Sequence, residues 1–130
     1  MAIIETLSSQ FAFTSGIALD SLRNVYVTDT NQKNIRKISA DTNEVTVLLS
    51  GLDYPSDIIL DDKNNIYFLD RNIIKKISVD TQEISTITTV TGATSLDIDI
   101  NGNIYVGTTS NVVKIDASTL SITTLARGFT

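Results

Sequence analysis

The chain of 130 residues has no cysteine, no histidine and no tryptophan, and a single proline, Pro55. Without cysteine there are no disulfides, no thiol chemistry and no cysteine-held zinc, and the redox compartment stays open. Without histidine, the commonest general base and the commonest neutral metal ligand are missing. Positive charge is also sparse: 10 Lys and Arg stand against 15 Asp and Glu, a net charge of −5. A nucleic-acid partner would need a basic face that this composition does not provide. The acids are scattered, as suits solubility. No apolar run is long enough to span a bilayer, so no membrane partner is expected. Met1-Ala2-Ile3-Ile4-Glu5 lacks the basic-then-apolar opening of a secretory signal, and no Asn-x-Ser/Thr acceptor occurs. The expectation is a cytoplasmic protein. With no Pro/Gly/Ser-rich linker, residues 1–130 read as one domain.

What the chain does have is a repeat of about 40 residues, a period typical of propellers, solenoids and arrays. The first copy holds Gly16-Ile17-Ala18-Leu19-Asp20, Asn24-Val25-Tyr26-Val27 and Ile35-Arg36-Lys37-Ile38. The second holds Asp57-Ile58-Ile59-Leu60-Asp61, Asn65-Ile66-Tyr67-Phe68 and Ile74-Lys75-Lys76-Ile77. The third holds Ser95-Leu96-Asp97-Ile98-Asp99, Asn103-Ile104-Tyr105-Val106 and Val112-Val113-Lys114-Ile115. The repeats cover 11–50, 51–89 and 90–127.

Each unit predicts four short antiparallel strands, A to D. Val, Ile, Thr and Tyr dominate these runs, and Asn, Asp, Gly and Ser fill the gaps. No stretch carries the 3.6-residue period of an amphipathic helix. The fold class is therefore all-β. The A–B turns open on Asp20, Asp61 and Asp99, side chains that hydrogen-bond their own backbone and close tight turns. Strands A and C are apolar on both faces in places, which suits a sheet covered on both sides. Ile4-Glu5-Thr6-Leu7 aligns with Val45-Thr46-Val47-Leu48, so residues 1–10 predict an extra outer strand D. Arg127-Gly128-Phe129-Thr130 looks like the start of a further unit.

The string from Gly16 to Ile38, with Asn24-Val25-Tyr26-Val27-Thr28-Asp29-Thr30-Asn31 at its centre, resembles the NHL repeat. The other two units resemble degenerate copies. The second has a shorter B–C loop, Asp70-Arg71-Asn72, and the third has Thr108 where the others have Asp29 and Asp70. The resemblance implies a β-propeller of four-stranded blades, most often six in a ring, and says little about function. Three repeats are half of such a ring. One reading is that two chains close it as a homodimer, because an open half-ring would expose apolar faces. The other is a fragment or an engineered piece of a longer propeller. The first is preferred.

In a propeller, the D–A and B–C loops share a rim, and loops on a rigid scaffold carry binding. Binding candidates there are Phe11, Phe13, Asp29, Asn31, Asp53, Tyr54, Asp70 and Arg71, beside Gln32 and Asn72. Aromatics among mixed polar groups suit a peptide or a small ligand. Asp97 replaces Ala18 and Ile59 on strand A and is the candidate for the channel wall. Asp97-x-Asp99-x-Asn101-Gly102 imitates a calcium loop, but Thr108 stands where the bidentate acid would be needed. Asp20, Asp61 and Asp99 read as turn caps, and Tyr26, Tyr67 and Tyr105 as packing between blades. Lys37, Lys76 and Lys114 read as a solvated strand face.

No catalytic residue, metal or cofactor is assigned. The functional expectation is a non-catalytic scaffold that self-assembles and binds through the rim. The resemblance also implies an alternative, a metal-dependent lactonase or lyase with a divalent ion in the channel. Asp97 is the one channel acid that could serve it, and neither Glu44 nor Glu83 lies on strand A.

Overall fold

The structure, a computed structural model, describes residues 3–128. Its twelve strands are β1 Thr14–Leu19, β2 Val25–Asp29, β3 Asn34–Ile38, β4 Val45–Leu49, β5 Pro55–Leu60, β6 Ile66–Asp70, β7 Ile73–Ile77, β8 Ile84–Thr89, β9 Ala93–Ile98, β10 Ile104–Thr108, β11 Asn111–Ile115 and β12 Ile122–Arg127. They form three separate antiparallel sheets in the orders β1-β2-β3-β4, β5-β6-β7-β8 and β9-β10-β11-β12. Each sheet is one repeat, here called blades 1 to 3. The first strands of neighbouring blades lie side by side, so β1, β5 and β9 form the inner row. No helix among the described residues is long and apolar enough to cross a membrane.

Two layers of side chains hold the blades together. Tyr26, Ile35 and Leu52 pack with Ile58, Ile66, Phe68 and Ile77 between blades 1 and 2. Tyr67, Leu69 and Ile74 pack with Leu96, Ile104, Val106, Val113 and Ile115 between blades 2 and 3. Each blade thus has a leading face toward the blade before it and a trailing face toward the blade after it. The middle blade is covered on both. The outer two are not: Ile17, on the leading face of blade 1, is 70% exposed, whereas its repeat mates Ile58 and Leu96 are 2% and 8% exposed. Leu125 is exposed on the trailing face of blade 3, although its mates Leu48 and Ile87 pack against the inner clusters.

Residues 3–10 correct one expectation. They form no strand. Each sheet is already complete with four strands, the last being β4, β8 or β12, and residues 3–10 pair with none of them. Met1 and Ala2 lie outside the described residues, as do Phe129 and Thr130 of the anticipated further unit.

The inner row closes tightest between blades 1 and 2. A Cβ on Gly16 would sit 2.8 Å from the Ser56 carbonyl oxygen and 2.9 Å from Asp57 Cα. These are backbone atoms of the next blade, which cannot swing aside as a long side chain can. Thr28 Oγ1 donates to the same Ser56 carbonyl at 3.2 Å. Gly16→Ala is expected to destabilise the chain by about 1–3 kcal/mol, the usual range for forced overpacking. Urea unfolding measures this, and an unchanged midpoint would mean that the two strands part at no cost.

Candidate functional site

The rim is built by the loops that enter each blade and those that join its second and third strands. Within a blade these two loops are hydrogen-bonded: Thr30 N–H donates to Phe13 C=O at 2.9 Å, Arg71 to Tyr54 at 2.9 Å and Thr109 to Gly92 at 3.1 Å. Between blades, Leu52 N–H reaches Lys33 C=O at 3.1 Å and Val90 N–H reaches Asn72 C=O at 2.8 Å. The rim is therefore a tied surface that holds its side chains in place.

Two of the expected binding residues are anchors of this surface. Asp29 is fully buried and accepts from the backbone of Ala12 at 2.8 Å, Phe13 at 3.1 Å and Gln32 at 3.1 Å. Burial pushes its carboxyl up, but the three N–H donors outweigh that and hold it below the ordinary carboxylate range. Asp70 is also buried. It accepts from Asp53 and Tyr54 N–H at 2.9 and 2.7 Å and pairs with Lys75 at 3.0 Å. Their carboxylates face the loops, so a ligand on the rim does not meet them. Thr108 does a smaller version of this work in blade 3, accepting from Ser110 and Asn111 N–H at 3.2 and 2.8 Å.

The remaining candidates separate by position. Phe11 packs against Val25, Val27 and Ile38 on the leading face of blade 1, with Arg36 5.5 Å above its ring. Phe13 and Asn31 stand exposed on the rim of blade 1. Tyr54, Arg71 and Asp53 come together in blade 2. Arg71 Nε donates to Asp53 Oδ2 at 2.6 Å while its guanidinium lies 5.5 Å above the Tyr54 ring. The pair is exposed and contributes little to stability. Its effect is to hold an aromatic face and a guanidinium in one place. Tyr54, Ser56, Arg71 and Asn72 meet Ala93 and Thr94 of blade 3 around an open cleft of about 350 Å³. Ser56, Ala93 and Thr94 are absent from the sequence-based candidates, because the repeat pattern does not show that the next blade supplies the second wall.

The opposite ends of the blades show what the repeated acids do. In every blade one carboxylate gathers four partners. Asp61 Oδ1 accepts from Lys63 and Asn65 N–H, both at 2.9 Å. Its Oδ2 accepts from Asn65 Nδ2 at 3.0 Å and Tyr67 Oη at 3.2 Å. Asn65 Oδ1 in turn accepts from Val79 N–H at 2.9 Å, tying in the turn before β8. Asp20 and Asp99 repeat this set with Asn24, Tyr26 and Ala40, and with Asn103, Tyr105 and Ala117. Asp99 is thus spent on its turn, as the turn-cap reading expects. Lys37, Lys76 and Lys114 are not simply a solvated face: each ammonium lies 5.6–5.9 Å from the centre of its own blade's tyrosine ring. Asp97 lies exposed on β9 in the inner row, and its Oδ1 accepts from Ile98 N–H at 2.8 Å. No group of three or more metal-ligating acids occurs among the described residues.

These features make the chain an arc of β-propeller blades. No family model matches it, and no curated protein matches its sequence. Solved structures match its fold. It is similar to a gluconolactonase from Xanthomonas campestris, with a TM-score of 0.83 and 13% identity over 94% of this chain and 50% of that one. It is similar to a chain of a nidogen–laminin complex, with a TM-score of 0.79 and 21% identity over 89% of this chain and 50% of that one. It is similar to virginiamycin B lyase from Staphylococcus aureus, with a TM-score of 0.70 and 16% identity over 86% and 40%. At such identities the likeness shows the fold alone. The chain spans about half the length of the first solved chains it matches.

Two titration results follow from the blade-end clusters. Burial pushes the Asp61 carboxyl up, and the bonds from Asn65, Lys63 and Tyr67 outweigh it and hold it low. A depressed folded pKa adds stability above the unfolded value of about 3.9 and loses it as pH falls through the folded one. Asp61→Asn is therefore expected to cost about 1–2 kcal/mol at neutral pH. That deficit should shrink as denaturation is repeated below about pH 4. A deficit that stayed constant with pH would mean the carboxylate charge plays no part. At the alkaline end, burial first, and then the adjacent Asp20 and Asp61, push Tyr26 and Tyr67 up to about 12. A raised folded pKa gives stability that is complete below the unfolded value of about 10 and lost as pH rises through the folded one. Phenolate absorbance should show these two tyrosines titrating near 12, with unfolding setting in above about pH 10.

Proposed function

We propose that the chain supplies half of a six-bladed ring, completes it with a second copy of itself, and works without catalysis as a binding module. Its ligand, a peptide or a small molecule, seats in the rim cleft at Tyr54, Ser56, Arg71, Asn72 and Thr94. The observation that carries the reading is the pair of incompletely covered faces. Blade 1 exposes the inner part of its leading face at Ile17 and Leu19, the rest lying under Phe11, and blade 3 exposes its trailing face at Leu125; these are the two kinds of face that pack together twice within the chain. Three blades matching half the length of a solved propeller chain support a ring of six. The absence of catalysis is supported by how the acids are used. The repeated carboxylates are bonded into turns and loops, and Asp97 stands alone on the inner row.

The cleft has the chemistry of recognition: an aromatic face, a guanidinium held against it, and amide and hydroxyl groups on both walls. Peptides selected from a displayed library on the wild-type chain are expected to lose at least about tenfold in affinity on Tyr54→Ala/Arg71→Ala. The melting temperature should stay within a few degrees, because both side chains are largely exposed. Selected peptides that bind both proteins equally would overturn the cleft as the site.

The similarity to a gluconolactonase and to virginiamycin B lyase favours a second reading, a lactonase- or lyase-like enzyme. The residues of one chain do not fit the metal that reading implies, since no acid cluster stands on the inner row among the described residues. Hydrolysis of a lactone that depends on an added divalent cation, together with a rise in melting temperature on adding it, would establish this reading against the first.

A further inference from the structure

The inner row shows how one blade is joined to the next by directional bonds. β1, β5 and β9 pair with the second strand of their own blade on one edge only. Asp20, Asp61 and Asp99 N–H donate across that edge to Asn24, Asn65 and Asn103. By the alternation of an antiparallel ladder, the N–H groups of Ile17, Leu19, Ile58, Leu60, Leu96 and Ile98 point the other way, toward the channel side. Between blades 2 and 3 a carboxylate collects two of them. Asp57 Oδ1 accepts from its own neighbour, Ile58 N–H, at 2.9 Å, and Asp57 Oδ2 accepts from Leu96 N–H of the next blade at 2.7 Å. One aspartate thus reads one step ahead in its own strand and at the matching position of the strand that follows.

Asp97 is set in the same way. Its Oδ1 accepts from its own neighbour, Ile98 N–H, at 2.8 Å. It lies two residues further along the repeat than Asp57, on the same trailing side, and its Oδ2 has no partner among the described residues. The matching position in a following blade is that of Ile98, Leu60 and Leu19. Leu19 belongs to blade 1 and lies, with Ile17, on the inner part of its leading face, which Phe11 does not cover. Its N–H has no acceptor among the described residues, and its side chain is exposed. The rim repeats the pattern. Leu52 and Val90 donate to Lys33 and Asn72 of the preceding blade, and Phe11 occupies the same repeat position with no preceding blade to meet. Among the described residues, the buried side-chain atoms without a partner, Asn34 Oδ1 and Arg36 Nε, also lie on the leading side of blade 1, opposite in the pleat to Ile35, although another nitrogen of the same Arg36 donates to the Gln10 carbonyl.

Resting on the self-assembly reading above, we infer that Asp97 is the residue that joins two copies: its free carboxylate oxygen accepts the Leu19 N–H of the second copy, as Asp57 accepts Leu96 within one chain. The occupant of both open surfaces is this chain itself, since the internal interfaces already show a trailing face seated on a leading one. The two-fold pairing uses each join twice, so the ring has two Asp97 clasps and no free inner edge.

The test is light scattering behind size exclusion on the full 130-residue chain, over a dilution series. The wild type is expected at twice 14.1 kDa. Asp97→Ala should weaken the dimer about a hundredfold, tenfold for each of two charge-assisted bonds. Ile17→Glu, which places a charge on the exposed inner part of the leading face, should give monomer at every concentration. All three proteins should share one circular-dichroism spectrum, because both residues are exposed in the single chain. A wild type that is monomeric throughout overturns the self-assembly reading and the clasp with it. A wild type and an Asp97→Ala variant that dimerise equally tightly overturn the clasp alone.

Discussion

A four-stranded sheet that is apolar on both sides cannot bury itself by folding. It needs another sheet on each face, and the cheapest source is a copy of the same sheet. This constraint accounts for the chain at every level. It explains why β6 is buried along its whole length, since a central strand of a covered blade meets side chains on both faces; β2, in an end blade, is buried on its leading side under Phe11 instead. It explains why blade 2 is covered on both faces and the other two each leave one face incompletely covered. It also explains why the core falls into layers between blades, with the trailing-face residues of one blade packed on the leading-face residues of the next.

Hydrophobic layers are non-directional and do not set how far one blade slides along the next. In each blade, the rigid part is the carboxylate cluster at Asp20, Asp61 or Asp99. That carboxylate closes the first turn and orients an asparagine that holds the last turn. It also fixes the hydroxyl of a tyrosine whose ring, in blades 1 and 2, is buried in the next layer. One acidic residue therefore links both turns to the packing. Asp29 and Asp70 do the same for the rim by gathering loop N–H groups. The acids that a search for chemistry would first notice are the ones the scaffold has already used.

Much of this was legible in the sequence, and the boundary between what was and was not has a physical basis. The repeat, the strand content and the turn role of Asp20, Asp61 and Asp99 all come from patterns within one unit, where periodicity and turn chemistry are local. What no pattern of residue types displays is the exact register, such as the irregularity between Thr14 and Gly16. Asp29 and Asp70 read as ligand-facing groups in the sequence, because a carboxylate in a loop looks the same whether it points to solvent or to backbone; the structure turns both toward backbone N–H groups. The strand expected over 1–10 resembles β4 in sequence, but residues 3–10 pair with no sheet, and likeness of residue type does not supply a pairing partner. The second wall of the cleft, at Ala93 and Thr94, comes from the next repeat, and one repeat cannot reveal its neighbour.

The same reasoning separates the joins between blades, although the units share one template. Blades 1 and 2 meet through small groups: Gly16 lets the strands approach, and Ser15, Thr28 and Thr30 bond hydroxyl to hydroxyl and to the carbonyls of Pro55 and Ser56. Blades 2 and 3 meet through the Asp57 carboxylate. On the bare trailing face the matching positions carry Ser95 and then Asp97, so the acid is offset by two residues from its internal counterpart. Two residues are one pleat repeat, which keeps the side chain on the same face while moving the bond along the strand. A blade that slid by one residue would turn that acid to the wrong side. Apolar layers make any two faces adhere, whereas the different polar joins along the inner row specify which pair of faces meets and at what height.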